Sequence, residues 1–105
     1  MNNKLIDTAN EKVLRGLVLE ILSKAKPTGA TMELVQAALR PYSYSLSKED
    51  ALNICLYLEG KKLVTLDHVS NERLNIRRSI AHLTSKGIDV LDGTETVSGV
   101  ELAGD

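Results

Sequence analysis

Aromatic side chains are scarce in this sequence: its 105 residues include three Tyr, and neither Trp nor Phe occurs. A hydrophobic core must therefore consist of Leu, Ile, Val and Ala, and a hydrophobic content of 43% suffices for one modest core. Cys55 is the only cysteine, which excludes an intramolecular disulfide and a thiolate metal cluster within one chain. We expect one domain that folds without a covalent or metal staple in a reducing compartment.

Long hydrophobic runs are also missing. No apolar stretch approaches the ~20 residues that a membrane-spanning helix needs. The amino terminus lacks the cationic region and apolar run of a secretory signal. These absences predict a cytoplasmic protein with no membrane partner.

Charge is nearly balanced but unevenly distributed. The net charge of −1 argues against a strongly basic nucleic-acid binder. Residues 61–88, however, hold 6 basic and 2 acidic side chains, whereas residues 89–105 hold 5 acidic and no basic ones. This distribution is typical either of a solvated hairpin with a solubilising acidic tail, or of a phosphate-facing element within 61–88.

Hydrophobic residues recur with helical spacing in the first part of the chain. We predict a first helix over about 9–25, opened by a capping box of Thr8 and Glu11. A minimal strand at 28–30 should follow, and then a second helix capped by the hydroxyl of Thr31. The expected buried stripe of that second helix comprises Leu34, Val35, Ala38 and Leu39.

A third helix is predicted over 47–59, where Ser47 and Asp50 have the spacing of a capping box. Gly60 is the predicted left-handed residue that ends this helix. The helix is apolar over a wide arc that includes Leu56. Such an arc indicates more burial than one small core requires.

Beyond the third helix the spacing of hydrophobic residues becomes alternating, and residues 61–82 predict a β-hairpin. Placing its apolar side chains on one face requires an odd loop of three or five residues. These side chains are Val64, Leu66, Leu74, Ile76 and Ile80. Arg73 and Arg77 would then face solvent, where a surface ion pair with Asp67 could occupy Arg77. Arg78 falls on the apolar side and would lie at an edge or a bulge.

The carboxyl-terminal region contains one more helix signal and an acidic segment. Thr84 can cap a short helix that Gly93 ends. Residues 93–105 are acidic and aperiodic, which is typical of disorder. The expected organisation is one domain over 1–92 and a disordered tail.

Three short stretches resemble those of winged helix-turn-helix domains. They are the third-helix sequence 51–59, which ends in Leu-Glu, the Leu-Val pair after Lys62, and residues 83–88 with the pattern Leu-Thr-x-Lys-Gly-hydrophobic. In this order they are similar to bacterial and phage regulators of the PadR and MarR kind. The family usually has Gly directly before Leu-Val, where this chain has Lys62. The resemblance implies a mainly α fold with a small β-hairpin (α+β): helix, short strand, two helices, hairpin, helix.

The resemblance also implies a function, namely that of a small transcriptional regulator that binds duplex DNA, specifically or generally. The third helix would enter the major groove, and the basic wing (61–82) would lie on a neighbouring groove or the backbone. Asn53 is suited to adenine, and Tyr57 could donate to a phosphate. Arg73 and Arg77 would contact the backbone or minor groove. The candidate DNA-binding residues are Lys48, Asn53, Tyr57, Lys61, Lys62, Arg73 and Arg77.

A protein-interaction or assembly module without DNA binding is the alternative. Glu49 and Asp50 on the third helix would repel phosphates, and Leu56 beside them could be buried against a second chain. Leu5 and Ile6 could extend such a homodimer contact. The acidic tail could dock a protein partner.

Catalytic and cofactor chemistry have little support in the sequence. His68 and His82 lack cysteine or acidic neighbours at metal-ligand spacing, so structural roles are expected for both. Cys55 lies in an apolar helical context, which favours the thiol over the reactive thiolate. No glycine-rich phosphate loop is present. We therefore expect no enzyme, no metal and no cofactor.

Overall fold

Four helices and a three-stranded antiparallel sheet make up residues 4–102, which the computed structural model describes; side chains are described for 10–102. In chain order the elements are α1 (Lys4–Lys24), β1 (Ala30–Thr31), α2 (Met32–Leu39), α3 (Lys48–Gly60), β2 (Val64–Asn71), β3 (Ile76–Leu83) and α4 (Ser85–Leu91). The strand order is β1-β3-β2, so β3 is the central strand. The predicted α+β class and element order are confirmed.

Three predicted helix caps are present. The side-chain oxygens of Thr31, Ser47 and Thr84 each accept a hydrogen bond from the backbone N–H three residues later, at 3.2, 3.0 and 3.1 Å. At Ser47 the bond is reciprocated, because its own N–H donates to the Asp50 carboxylate at 3.3 Å. Each cap satisfies a backbone donor that has no partner within the helix, and so fixes where α2, α3 and α4 begin.

The predicted start of the first helix is wrong. Helix α1 begins at Lys4, so Thr8 lies inside the helix rather than at its cap. The residues ahead of Thr8 include no Gly or Pro, and nothing in their propensities ends the helix there. The side chains of Leu5, Ile6 and Thr8 lie outside the described ones, and the homodimer contact suggested for Leu5 and Ile6 stays a prediction.

The core lies between the helices and the inner face of the sheet. Its largest fully buried side chains are Leu19, Leu22, Met32, Leu39, Leu58 and Leu63. Each Leu buried in this way contributes roughly 1.5–3 kcal/mol relative to an exposed position. Ala81 of the central strand is also fully buried, and its small side chain lets the helices approach the sheet closely.

The buried face of α2 differs from the predicted one. Val35 and Leu39 are buried as expected, but Met32 joins them and Leu34 is 48% exposed. Because α2 begins directly after β1, Met32 is already in the first helical turn, and Met32, Val35 and Leu39 line one face with i, i+3, i+7 spacing.

The hairpin register also differs from the predicted one. Residues 72–75 form a loop of four between Asn71 and Ile76, and Leu66 pairs with Ala81. With an even loop, Ile76 and Ile80 lie on the opposite face from Val64 and Leu66. The turn accounts for this length, because the Asn71 side chain accepts from the Leu74 N–H at 3.3 Å and Asn75 adopts a left-handed conformation with φ 52°.

Arg78 lies in an unbroken ladder rather than at a bulge. The pairing runs without interruption from Val64 opposite Leu83 to Asn71 opposite Ile76, and Arg78 lies opposite Val69. Asp67 and Arg77 form no ion pair among the described residues, because the register places their side chains on opposite faces of the sheet. Its carboxylate lies 3.1 Å from His82 Nε2 instead.

Residues 97–102, called the strap here, lie across α1 in contrast to the disorder expected from residue 93. Val97 and Val100 pack against the core, and the Glu101 N–H donates to the Lys12 carbonyl at 3.0 Å. The Arg15 guanidinium donates to the Gly99 carbonyl at 3.0 Å. Composition alone did not identify these spaced valines as a packing face. Residues 103–105 lie outside the described part.

The turn between α3 and β2 contains an unusual lysine. Gly60, the expected left-handed residue, is the last residue of α3, and Lys62 has the positive φ, 66°. A left-handed conformation strains any side chain with a Cβ by about 1–2 kcal/mol. Lys62 thus occupies the position before Leu-Val where the resembling family usually has glycine.

Replacing Lys62 with Gly should therefore stabilise the protein by about 0.5–1 kcal/mol, because relief of strain exceeds the added entropy of the unfolded chain. Urea unfolding measures this change. Lys61→Gly is the matched control, since Lys61 has an ordinary φ of −88° and should lose stability. Equal loss in both variants would contradict the strain at Lys62.

A second stability prediction concerns Gly16, which lies beneath the strap. A Cβ at this position would overlap the Glu101 carbonyl oxygen. Gly16→Ala should therefore destabilise the full chain, although the same change in an exposed helix gains about 1 kcal/mol. In a chain that ends at residue 96 the sign should reverse. Thermal unfolding of the full and the shortened chain, each with and without Gly16→Ala, tests this double-mutant cycle. If the effects of the substitution and of the truncation on stability simply add, the strap does not contact Gly16.

Candidate nucleic-acid interface

Two grooves flank helix α3. The wing groove, of about 530 Å³, lies between the start of α3 and the hairpin, and it is lined by Met32, Lys48, Glu49, Leu52, His68, Val69, Ser70, Arg77, Arg78 and Ser79. The α1 groove, of about 340 Å³, is lined by Glu11, Leu14, Arg15, Leu46, Asp50, Asn53, Ile54 and Tyr57. The predicted DNA-binding residues are therefore divided between two sides of α3.

Lys48 and Arg77 are brought together in the wing groove. Lys48 is held at the start of α3, one residue after the Ser47 cap, and Arg77 lies opposite Ser70 in the ladder. Both belong to elements fixed by backbone hydrogen bonds. The wing groove therefore has cations on both of its walls.

Glu33 of α2 joins three elements at this groove. Its carboxylate Oε2 lies 3.3 Å from Lys48 Nζ and 3.4 Å from Arg78 Nη1. A hydrogen bond from its own backbone is the main reason that the pKa of Glu33 lies below its ordinary value; burial opposes this as the next-largest effect, and Lys48 and Arg78 each lower the pKa by less. The carboxylate is thus charged at neutral pH and balances part of the charge of Lys48 and Arg78.

Asn53 and Tyr57 face the other groove. The Tyr57 ring lies beneath Arg15, whose guanidinium carbon is 3.7 Å from the ring centroid, in the geometry of a cation–π contact. A Cβ at Gly99 would overlap the Tyr57 hydroxyl, so the strap lies directly against this tyrosine. Tyr57 is placed to hold the strap, and it does not share a groove with Lys48 and Arg77.

The remaining candidates lie at the two ends of the interface. Arg73 is in the 3-10 turn Glu72–Leu74 at the tip of the wing, beside Leu74, which is 66% exposed. Lys61 and Lys62 lie at the end of α3, where Lys61 Nζ is 5.6 Å from the Tyr57 ring centroid. Only Lys48 and Arg77 of the seven predicted residues line the wing groove.

Glu33 and Arg15 were not predicted as site residues. Glu33 and Arg78 are 45 residues apart in sequence, and Arg15 and Gly99 are 84 apart. Neither spacing has a local signature. Arg78 does not interrupt a core-facing row of side chains, because the register places it on the face opposite Val64 and Leu66, where no bulge is needed.

The two histidines each have a hydrogen-bonding or ionic partner, and the cysteine is buried. His68 Nδ1 lies 2.9 Å from Ser79 Oγ across the hairpin, and His82 lies against Asp67. Burial raises the pKa of Cys55 to about 12, so this thiol is protonated at neutral pH. Among the described residues no group of His, Cys, Asp or Glu is arranged to hold a metal ion.

The helices are short or polar relative to membrane-spanning helices. None of those in the described part of the chain combines the length and the apolarity that crossing a bilayer would require.

Comparisons with known proteins yield a match in structure but none in sequence. No protein-family model matches the chain, and no curated protein does either. Among solved structures, a mutant form of S. aureus MepR, a winged-helix regulator of the MarR family, superposes with a TM-score of 0.56. The match has 16% sequence identity and covers 89% of this chain and 73% of the MepR chain. At this identity the likeness concerns the fold alone: the chain has a winged-helix fold similar to that of MepR.

Proposed function

We propose that the protein binds duplex DNA as a small transcriptional regulator, with α3 and the wing forming the contact surface. The observation that carries this proposal is the wing groove, where cations of α3 and of β3 converge. Winged-helix domains place the corresponding helix in the major groove and the wing beside it. Lys48 at the start of α3 and the arginines of the wing would neutralise phosphates on either side of the groove.

The acidic residues near the carboxyl end favour this arrangement. Glu95 lies 3.9 Å from Lys86 of α4, and the strap runs over α1. Their contacts are therefore with α1 and α4 and not with the wing. We infer that the described acidic residues of this segment do not compete with phosphate for Arg73 and Arg77.

An assembly module is the second candidate function. An apolar groove of about 310 Å³ lies between α1 and α2 and is lined by Ile21, Lys24, Ala25, Leu34, Ala38 and Tyr42. Leu34 and Tyr42 are 48% and 51% exposed. Exposed apolar side chains that adjoin in this way are typical of protein contact surfaces. This groove lies away from the wing, so a homodimer or a protein partner there is compatible with DNA binding.

The first functional prediction concerns salt. Duplex binding should weaken steeply as the salt concentration rises, and Arg73→Ala with Arg77→Ala should reduce the slope of log K against log salt by roughly two. A titration of labelled duplex at several salt concentrations measures the slope. Lys24→Ala with Lys26→Ala removes the same charge from residues that do not line the wing groove, and it should leave the slope nearly unchanged. Binding that ignored both salt and the two arginines would contradict the proposal and favour the assembly module.

The second functional prediction concerns Glu33. Glu33→Gln should release Lys48 and Arg78 toward phosphates, so affinity for arbitrary duplex at low salt should rise several-fold and the salt slope should steepen. Asp92→Asn, an equal charge change in an exposed residue after α4, is the control. Equal effects in the two variants would show that only net charge matters and that the Glu33 contacts do not restrain the cations.

A further inference from the structure

Helix α3 presents one continuous line of exposed residues, which begins at the wing groove with Glu49 and includes Asn53 of the α1 groove. The line consists of Glu49, Asn53, Leu56 and Gly60, which recur at i, i+4, i+7 and i+11 and so lie on one side of the helix. We call it the α3 ridge. Its place opposite the buried Ala51, Cys55 and Leu58 makes it the part of α3 that projects farthest from the core.

The acidic residues of α3 are not equivalent. The Asp50 carboxylate accepts from the Ser47 N–H in the capping box, and the Glu59 carboxylate accepts from the Leu66 N–H at 3.3 Å. Both are therefore used by the fold. Glu49 makes no hydrogen bond or ion pair among the described residues. It is the one carboxylate of α3 that remains available to a ligand.

The cation next to the ridge is not available in the same way. Lys48 is paired with Glu33, and α3 contains no arginine. The ridge thus offers a hydrogen-bond acceptor at Glu49, an amide at Asn53 and an apolar side chain at Leu56. At Gly60 a Cβ would meet nothing within 4 Å, so the backbone itself is bare there.

These groups match particular base edges. Carboxylates accept from the N4 amino group of cytosine, an Asn amide pairs with N6 and N7 of adenine, and apolar side chains contact the thymine methyl. In the major groove guanine presents only hydrogen-bond acceptors, and a carboxylate is repelled by them. The next step rests on the proposed function. We infer that the α3 ridge reads cytosine with Glu49, adenine with Asn53 and thymine with Leu56. It also selects against guanine beside Glu49.

The spacing of the ridge is compatible with successive base pairs. A helix rises about 1.5 Å per residue, so Glu49 and Asn53 are separated by about 6 Å and Asn53 and Leu56 by about 4.5 Å along the axis. Base pairs are about 3.4 Å apart. The three side chains can therefore reach a site of roughly three to four base pairs, while the wing cations contribute attraction independent of sequence.

The unpaired carboxylate gives the ridge a discriminating role. Placed in a major groove, Glu49 lowers affinity for every duplex through repulsion from phosphates, and regains free energy only where a cytosine amino group lies opposite. This reconciles an acidic ridge with a basic wing. General attraction comes from one element and selectivity from the other.

Selection of bound duplexes from a random pool tests this inference with the full chain. Wild type should enrich a site with a defined C·G pair, and discrimination against other bases at that position should fall roughly tenfold in Glu49→Gln. Asn53→Ala should lose preference at an adjacent A·T position. Asp92→Asn is the control for charge and should select the wild-type site. Far-ultraviolet circular dichroism establishes that each variant is folded.

The outcomes separate this inference from the proposed function. Salt-dependent binding with no enriched site, or the same enriched site in wild type and Glu49→Gln, overturns reading by the ridge and leaves DNA binding intact. A C·G preference that is kept in Glu49→Gln but lost in Arg73→Ala with Arg77→Ala overturns it as well. No binding to any duplex at low salt overturns both.

Discussion

The pairing of Leu66 with Ala81 determines where the cations of this protein lie. Ala81 is the buried residue of the central strand, and only a residue this small lets α1 and α2 approach the sheet. Once Ala81 faces the core, alternation along β3 decides the rest. Both arginines line the wing groove, but Arg77 lies opposite Ser70, whereas Arg78 lies on the other face of the strand, within reach of Glu33. A register shifted by one residue would exchange these two roles and put Ile80 in the core.

The parts of the fold that could be predicted are those encoded within a few residues. The Thr31, Ser47 and Thr84 caps are local signals with a spacing of three, and they mark where α2, α3 and α4 begin in the structure. The register could not be predicted in this way. Both Ile80 and Ala81 are apolar, and hydrophobicity alone favours the larger residue for the core. Close packing of helices on the sheet favours the smaller one, and that constraint is not visible in the sequence of the strand.

The hairpin that carries the candidate cations was predictable, but the contacts of those cations were not. A cluster of cations after α3 identified the wing. What each cation does depends on partners distant in sequence, such as Glu33 for Lys48 and Arg78, and on packing that places Tyr57 under Arg15. Charge counts therefore overstate the positive surface near α3, while Arg73 and Arg77 make no ion pair among the described residues. The two ion pairs of Glu33 link α2 to α3 and to β3.

Lys62 carries a consequence for how this domain can change. It holds a left-handed conformation at the end of α3, where glycine would be relaxed, and it contributes one of the positive charges next to the proposed interface. Selection for a more stable fold and selection for attraction to phosphates therefore act on this position in opposite directions. A lineage that came to rely on base reading rather than on general attraction could exchange the lysine for glycine at little loss. The residue at this turn would then indicate whether a given relative binds DNA mainly through charge or mainly through base contacts.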